Sequence, residues 1–155
     1  MGYIYPPIGL IGDKTSYKDE LRDAQILRDL GSTVYLTPEN SRLTGKKYDA
    51  IVDGLKYEFK NVAGNTSTLE KQFLRSRSQA PNVFINLEKS SLFKKEVIST
   101  LYGARNKTET AKRRGYAYYN KFQGGKIILN INGYYRLVYI NVDSLKIKSH
   151  KKTGR

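Results

Sequence analysis

The apolar residues of this chain change period several times, and each change marks an element. Tyr17, Leu21, Ala24, Leu27 and Leu30 recur at three- and four-residue steps, the spacing of one helix face. Thr15 or Ser16 can cap that helix and Gly31 stops it, which predicts a helix over about 16–30. Thr33–Thr37 (TVYLT) is a short β-favouring run closed by Pro38, and residues 39–47 form a polar loop. In residues 48–60, YDAIVDGLKYEFK, apolar strand formers flank Asp53-Gly54, a dipeptide that favours a two-residue hairpin turn. A Gly/Asn/Thr loop follows at 61–66. Ser67 and Glu70 have capping-box spacing and open a helix to about Gln79, which Pro81 ends. Asn82–Glu88 (NVFINLE) reads as a buried strand. The predicted order is helix, strand, strand, strand, helix, strand.

Beyond it, Leu92 to about Arg114 is helical in pattern, with an interruption allowed at Gly103. Lys126–Ile131 and Tyr134–Val142 flank Asn132-Gly133, a second hairpin signal. The end, SHKKTGR (149–155), is polar enough to predict a disordered tail. With no repeat and no linker, the chain reads as one α/β domain over 1–155: a core at 16–88 and a basic extension at 89–148 of a helix plus a β-hairpin.

The Asp53-Gly54 turn also fixes a register. Counting outward, Val52 faces Leu55, Ile51 faces Lys56, Ala50 faces Tyr57 and Asp49 faces Glu58. Glu58 and Lys60 share a face, because side chains alternate along a strand. Asp49 and Glu58 then stand about 5 Å apart at their roots. Two acids that close repel unless a cation sits between them, and a hard cation with oxygen ligands, such as Mg²⁺, is the natural occupant. The ordinary alternative is a solvated sheet face that happens to carry Asp, Glu and Lys.

Composition sharpens the choice. The 155-residue chain has no cysteine, so disulfides and thiolate metal ligands are excluded. No apolar run approaches a membrane span, so membrane insertion is not expected. The first residues, MGYIYPPIGLIG, lack the basic start and long apolar stretch of a signal peptide, so export would depend on a larger parent protein. The net charge of +14 is uneven: residues 1–88 carry 12 Lys+Arg against 11 Asp+Glu, and residues 89–155 carry 16 against 3. A near-neutral front and a strongly basic back suggest that one half holds the chemistry and the other a polyanion. Tyrosines interleave with the basic residues in KRRGYAYYNK (112–121). Lys112, Arg113, Arg114 and Lys121 are candidates to hold phosphates, and Tyr116 to stack on unpaired bases. The lone histidine, His150, falls in the predicted tail, so a two-histidine acid–base mechanism within one chain is excluded. The glycines lack the spacing of a phosphate-binding loop, and no small-molecule cofactor is expected.

Tyr48-Asp49, then Glu58-Phe59-Lys60, within an αβββαβ order, resemble the PD-(D/E)XK or restriction-endonuclease-like nuclease superfamily. Tyr48 stands where that pattern has proline, a variable position without chemistry. A narrower resemblance runs through Pro38-Glu39 and G-K-K-x-D-x-x-V-D-G-x-x-x-E-F-K-N (45–61) to the toxin nuclease domains of contact-dependent growth inhibition and other polymorphic toxins, many of which cut tRNA. The resemblance implies a restriction-endonuclease-like core with a mixed sheet flanked by helices. It implies that Asp49 and Glu58 ligate a divalent metal, Mg²⁺ first and Mn²⁺ or Zn²⁺ as alternatives, with the Phe59 carbonyl as a third ligand. It implies that Lys60 positions or activates the attacking water, and that Glu20 matches an acid on the first helix. An ordinary surface role suits Glu20 as well, and Gln72 or Gln79 matches a polar residue of the second helix only loosely.

The function so implied is a metal-dependent nuclease cutting tRNA. It would be delivered within a larger toxin, act in the cytoplasm of the target bacterium, and be neutralised by an acidic immunity protein. Three alternatives remain at this point: a DNase of the same superfamily, a metal-free RNase of barnase-like or colicin-like type, and a non-catalytic nucleic-acid-binding module.

Overall fold

The computed structural model describes residues 2–5, 14–37, 48–116, 122–131, 134–141 and 145–151, with backbone only at 14–17 and from 128 onward. In chain order the elements are β1 (Ile4–Tyr5), α1 (Lys14–Asp29), β2 (Val34–Leu36), β3 (Ala50–Val52), β4 (Leu55–Asn61), α2 (Thr66–Ser76), β5 (Asn82–Asn86), α3 (Lys94–Arg113), β6 (Gly124–Ile131), β7 (Tyr134–Asn141) and β8 (Leu145–Lys151). The eight strands form one mixed sheet in sequential order. β1–β2, β4–β5 and β5–β6 are parallel, and the remaining pairs are antiparallel. From α1 to β5 the order is the expected αβββαβ, and the α/β class with helices flanking a mixed sheet is as predicted.

The hairpin forms in the predicted register, with Ala50 opposite Tyr57, Ile51 opposite Lys56 and Val52 opposite Leu55. Asp53 and Gly54 take φ of +50° and +86°, the two positive values a turn of this hand requires. The turn is latched to the start of β2: the Asp53 carboxylate accepts the Thr33 N–H at 2.9 Å, and the Asp53 N–H donates to the Thr33 carbonyl at 3.0 Å.

Two apolar clusters sandwich the sheet. α1 lays Ala24, Ile26 and Leu27 on Val34, Leu36, Ala50, Val52, Tyr57, Phe59 and Phe84. α2 and α3 lay Leu69, Phe73, Val97, Leu101 and Ala104 on Val83, Ile85 and Ile127. β5 is buried along its whole length because it is covered on both faces, which explains its uninterrupted apolar pattern.

Several expectations need correction. The cap of α2 is Asn65, whose side chain accepts the Thr68 N–H at 3.1 Å, and not Ser67. Glu70, expected to complete a capping box, instead pairs with Lys107 of α3 at 2.6 Å. α2 ends at Ser76, three residues before Gln79, as Ser76 Oγ and Arg77 Nε donate to the carbonyls of Phe73 and Leu74. α3 runs through Gly103 without a break. Ser149, His150 and Lys151 belong to β8 and pair with Arg136, Tyr135 and Tyr134, so these residues are not a disordered tail. The sheet gains a last antiparallel strand with an alternating basic pattern, a common guard on an exposed edge. β1, only two residues long, has no counterpart in the sequence reading. Ile131 pairs with Tyr134, as a two-residue turn requires, though Asn132 and Gly133 themselves lie outside the described residues.

Gly54 has open space where a Cβ would stand, so replacing it tests backbone conformation alone. Gly54→Ala is expected to lower stability by about 1–2 kcal/mol. Urea denaturation measures this, and an unchanged midpoint would show that the turn does not set the hairpin.

Candidate active site

The structure brings Asp49, Glu58 and Lys60 together. Asp49 lies just before β3, and three hydrogen bonds hold it there. Its carbonyl accepts the Thr37 N–H at 2.9 Å, its N–H donates to the Tyr57 carbonyl at 2.8 Å, and its carboxylate accepts the Phe59 N–H at 2.8 Å. The ladder itself stops at Ala50–Tyr57, so Asp49 does not continue it as a formal pair with Glu58. Its carboxylate turns instead into the gap where β3 has ended and joins Glu58 there. The Phe59 carbonyl points to the same side of β4 as its N–H, hence toward the same gap.

Glu58 is 6% exposed and is hydrogen-bonded to Asp49. Its carboxyl is held well above the usual range, first by burial and then by the Asp49 carboxylate; the Lys60 ammonium opposes this without cancelling it. Lys60 Nζ sits 3.2 Å from Glu58 Oε2. Two carboxyls thus meet beside an ammonium, the close acid pair foreseen from the register. Among the described residues no group of three or more His, Cys, Asp or Glu forms a metal cage. The available donors are therefore two carboxylates and a carbonyl, all hard oxygens. Such a set suits Mg²⁺, which keeps several waters and takes only one or two carboxylates from a protein. It does not suit a closed zinc site.

The other expected residues lie on other elements. Glu58 is in register with Val83 and Lys60 with Ile85, on the α2/α3 side of the sheet. α1 covers the opposite side, where Tyr57 and Phe59 point. Glu20 lies on α1. Gln72 is half-buried on α2; Gln79 lies beyond its end, with Oε1 buried and lacking a hydrogen-bond partner among the described residues. Lys112, Arg113 and Arg114 close α3, where positive charge favours a helix C-terminus. Lys112 Nζ reaches the Phe122 carbonyl at 3.5 Å, while Tyr116 is exposed beside a groove of about 360 Å³ that Arg114 and Lys107 also line. Lys121 lies outside the described residues.

The sequence reading missed Asp23. This residue on α1 is 0% exposed and accepts hydrogen bonds from Asn61 at 2.7 Å and Asn86 at 2.9 Å, the last residues of β4 and β5. Asn86 also donates to Glu88 at 3.1 Å, and Glu88 is held by Arg22, whose Nε lies 3.0 Å away. A cavity of about 230 Å³ opens over this network, at the carboxyl ends of two parallel strands. The available signal was spacing: Asp23 stands three and four residues before Ile26 and Leu27, in the buried stripe of α1.

No protein-family model matches the chain, and no curated protein sequence matches it. Among solved structures, it is similar to a chain of the "CdiA-CT/CdiI toxin and immunity complex from Burkholderia pseudomallei", with a TM-score of 0.52 and 17% identity over 92% of this chain and 93% of that one. At that identity the likeness is one of fold. Its coverage means that the basic C-terminal part belongs to the shared fold as much as the αβββαβ part does.

Burial pushes the Asp23 carboxyl up to about 7 from 3.8, against the two asparagine hydrogen bonds. The unfolded chain therefore releases this proton near pH 4 and the folded chain near pH 7. Between these values the unfolded state binds fewer protons, so Asp23 makes stability fall as pH rises, by up to about 1.4 kcal/mol per pH unit. Glu58, shifted in the same direction, adds to the fall. Urea denaturation across that window is expected to show a shallower pH dependence in Asp23→Asn than in the parent; identical slopes would contradict the buried, protonated acid.

Proposed function

We propose that this chain is the nuclease domain of a contact-dependent growth-inhibition toxin, a metal-dependent PD-(D/E)XK enzyme that cuts RNA, with tRNA as its target. The observation that carries the proposal is the convergence of Asp49, Glu58 and Lys60 at the end of one hairpin. A binding module has no use for two carboxyls, one of them buried, forced together beside an ammonium. The fold shared with a chain of a toxin and immunity complex supports the toxin reading. By the same likeness, an immunity protein is the proposed partner, and the basic charge of the second half makes an acidic one the best fit.

The chain's own groups define the chemistry. Asp49 is pinned by the Phe59 N–H, which fixes its carboxylate at the gap beside Glu58. Asp49 and Glu58 would hold a divalent cation between their carboxylates. Lys60 then offers N–H donors to an attacking water or to the non-bridging phosphate oxygens. A divalent cation held by Asp49 and Glu58 supplies acidification of water and compensation of charge on the phosphate. Outside this gap, the basic C-terminus of α3 offers phosphate contacts that add affinity without taking part in bond cleavage.

Incubating the purified chain with tRNA and with plasmid DNA, each with and without EDTA, tests the proposal. tRNA is expected to be cut, and EDTA to stop the cutting. Cleavage of plasmid alone would make the chain a DNase, and cleavage in EDTA would remove the metal. Glu58→Gln and Lys60→Ala are each expected to slow cleavage by at least roughly 100-fold while keeping the parent's circular dichroism. Parent rates in either variant would dismiss the site. Neutralising Lys112, Arg113 and Arg114 together is expected to weaken tRNA binding and flatten its dependence on salt. An unchanged salt slope would place the nucleic acid elsewhere.

A further inference from the structure

The face of the sheet that bears Glu58 and Lys60 continues toward the first strand, where none of the described helices packs on it. α2 packs on β4 and β5, and α1 covers the other face. Along the open part, one register row crosses four strands: Tyr5 on β1, Tyr35 on β2, Ile51 on β3 and Lys56 on β4. The neighbours Val34 and Leu36 are buried under α1, which turns Tyr35 the other way.

Three tyrosines of this region are open to solvent: Tyr3 is 60%, Tyr5 41% and Tyr35 51% exposed. Tyr5 and Tyr35 stack, with ring centroids 5.0 Å apart and planes 17° from parallel. Tyr3 leans on Tyr5 at 6.3 Å. Side chains stand upright from a sheet, so this stack runs across the strands and points toward β3 and β4. Its next place along the row lies over Ile51. On the far side of that place Lys56 rises, with its ammonium 5.3 Å from the centre of the Tyr48 ring. Strand spacing of about 4.8 Å and a rise of about 3.4 Å per residue put Glu58 roughly 8 Å from the place over Ile51.

We propose that this row is a stacking platform for unpaired RNA bases, on which a base continues the Tyr5–Tyr35 stack over Ile51 while its phosphodiester reaches Glu58 and Lys60. The inference rests on the nuclease reading for the choice of RNA, but the platform is defined by its own residues. Stacked aromatic rings accept any base face, and the Lys56 and Lys60 ammoniums attract the connecting phosphates. A double-stranded segment keeps its bases inside its own stack, so the platform selects loops and unpaired ends. Exposed tyrosines also suit protein interfaces, but their parallel stacking at 5.0 Å in one row fits successive base planes. The charge and the rings together favour nucleic acid.

The chain contains no tryptophan, so Tyr35→Trp places a unique fluorophore in the row. The full chain carrying this change is titrated with oligo(U), with oligo(dT) and with duplex poly(A)·poly(U), in EDTA so that binding is read without metal-dependent cutting. Oligo(U) is expected to quench the tryptophan saturably and the duplex to leave it unquenched. Oligo(dT) is expected to quench it more weakly; equal quenching would overturn the restriction to RNA. Tyr35→Ala in the parent is expected to weaken oligo(U) binding roughly tenfold, and Tyr35→Phe to restore it, which separates stacking from a folding defect. If Tyr35→Ala binds oligo(U) as the parent does, or loses the single strand and the duplex equally, the platform is wrong and the exposed rings are left to a protein partner. A chain that cuts tRNA but shows that result keeps the nuclease reading and loses the platform. A chain whose oligo(U) binding depends on Tyr35, yet cuts nothing, keeps the platform and loses the nuclease.

Discussion

The contact between the Asp49 and Glu58 carboxyls is the constraint around which the site is built. Two carboxyls in contact, one of them buried, are tolerated only with a positive charge or a proton between them. The Lys60 ammonium offsets the contact only in part, and the two carboxyls cannot move apart because each partner is fixed by the backbone. The Phe59 N–H holds Asp49 in the gap, and Glu58 is carried in by a strand paired on both sides. The hairpin turn and its latch to Thr33 therefore do more than join two strands. They keep the repulsive pair together in the absence of a cation.

The sheet separates two kinds of buried acid. On the α2/α3 face, Glu58 has an ammonium beside it and an opening toward solvent along the strands. On the α1 face, Asp23 has two asparagine amides and is closed over by the helix. Burial raises both acids, but the consequences differ. Asp23 ties α1 to the ends of β4 and β5 through its two asparagine hydrogen bonds. Glu58 instead meets a second carboxyl, so a divalent ion at the proposed site would relieve the pair on both sides.

The hairpin was legible in the sequence because a two-residue turn leaves no freedom: once Asp53-Gly54 is placed, every pair from Val52–Leu55 to Ala50–Tyr57 follows. The trio was legible for the same reason. Glu20 and Asp23 were harder. Three residues separate them on a helix whose sheet-facing stripe is several residues wide, and position along a helix does not say which sheet face lies beneath it. The helix cap failed through competition. Ser67 and Glu70 have the right spacing, but Asn65 caps two residues earlier and Lys107, distant in sequence, takes Glu70. The last strand failed through composition. LKIKSHK alternates as a strand should, yet its polarity looks like a tail until β7 is seen to offer it an edge.

The division of charge along the chain now has a spatial counterpart. The near-neutral first half builds the hairpin, the trio and the tyrosine row. The basic second half contributes α3 and the strands that extend the sheet from β6 onward. β6 pairs directly with β5, so the basic part is continuous with the core sheet instead of hanging from a linker. This matters for how a polyanion would be held. A tethered basic tail would raise local concentration but leave orientation open. Basic groups on elements that share one sheet with Glu58 and Lys60 would hold a phosphate chain at a fixed offset from the proposed site, which is the condition for positioning to contribute to rate as well as to binding.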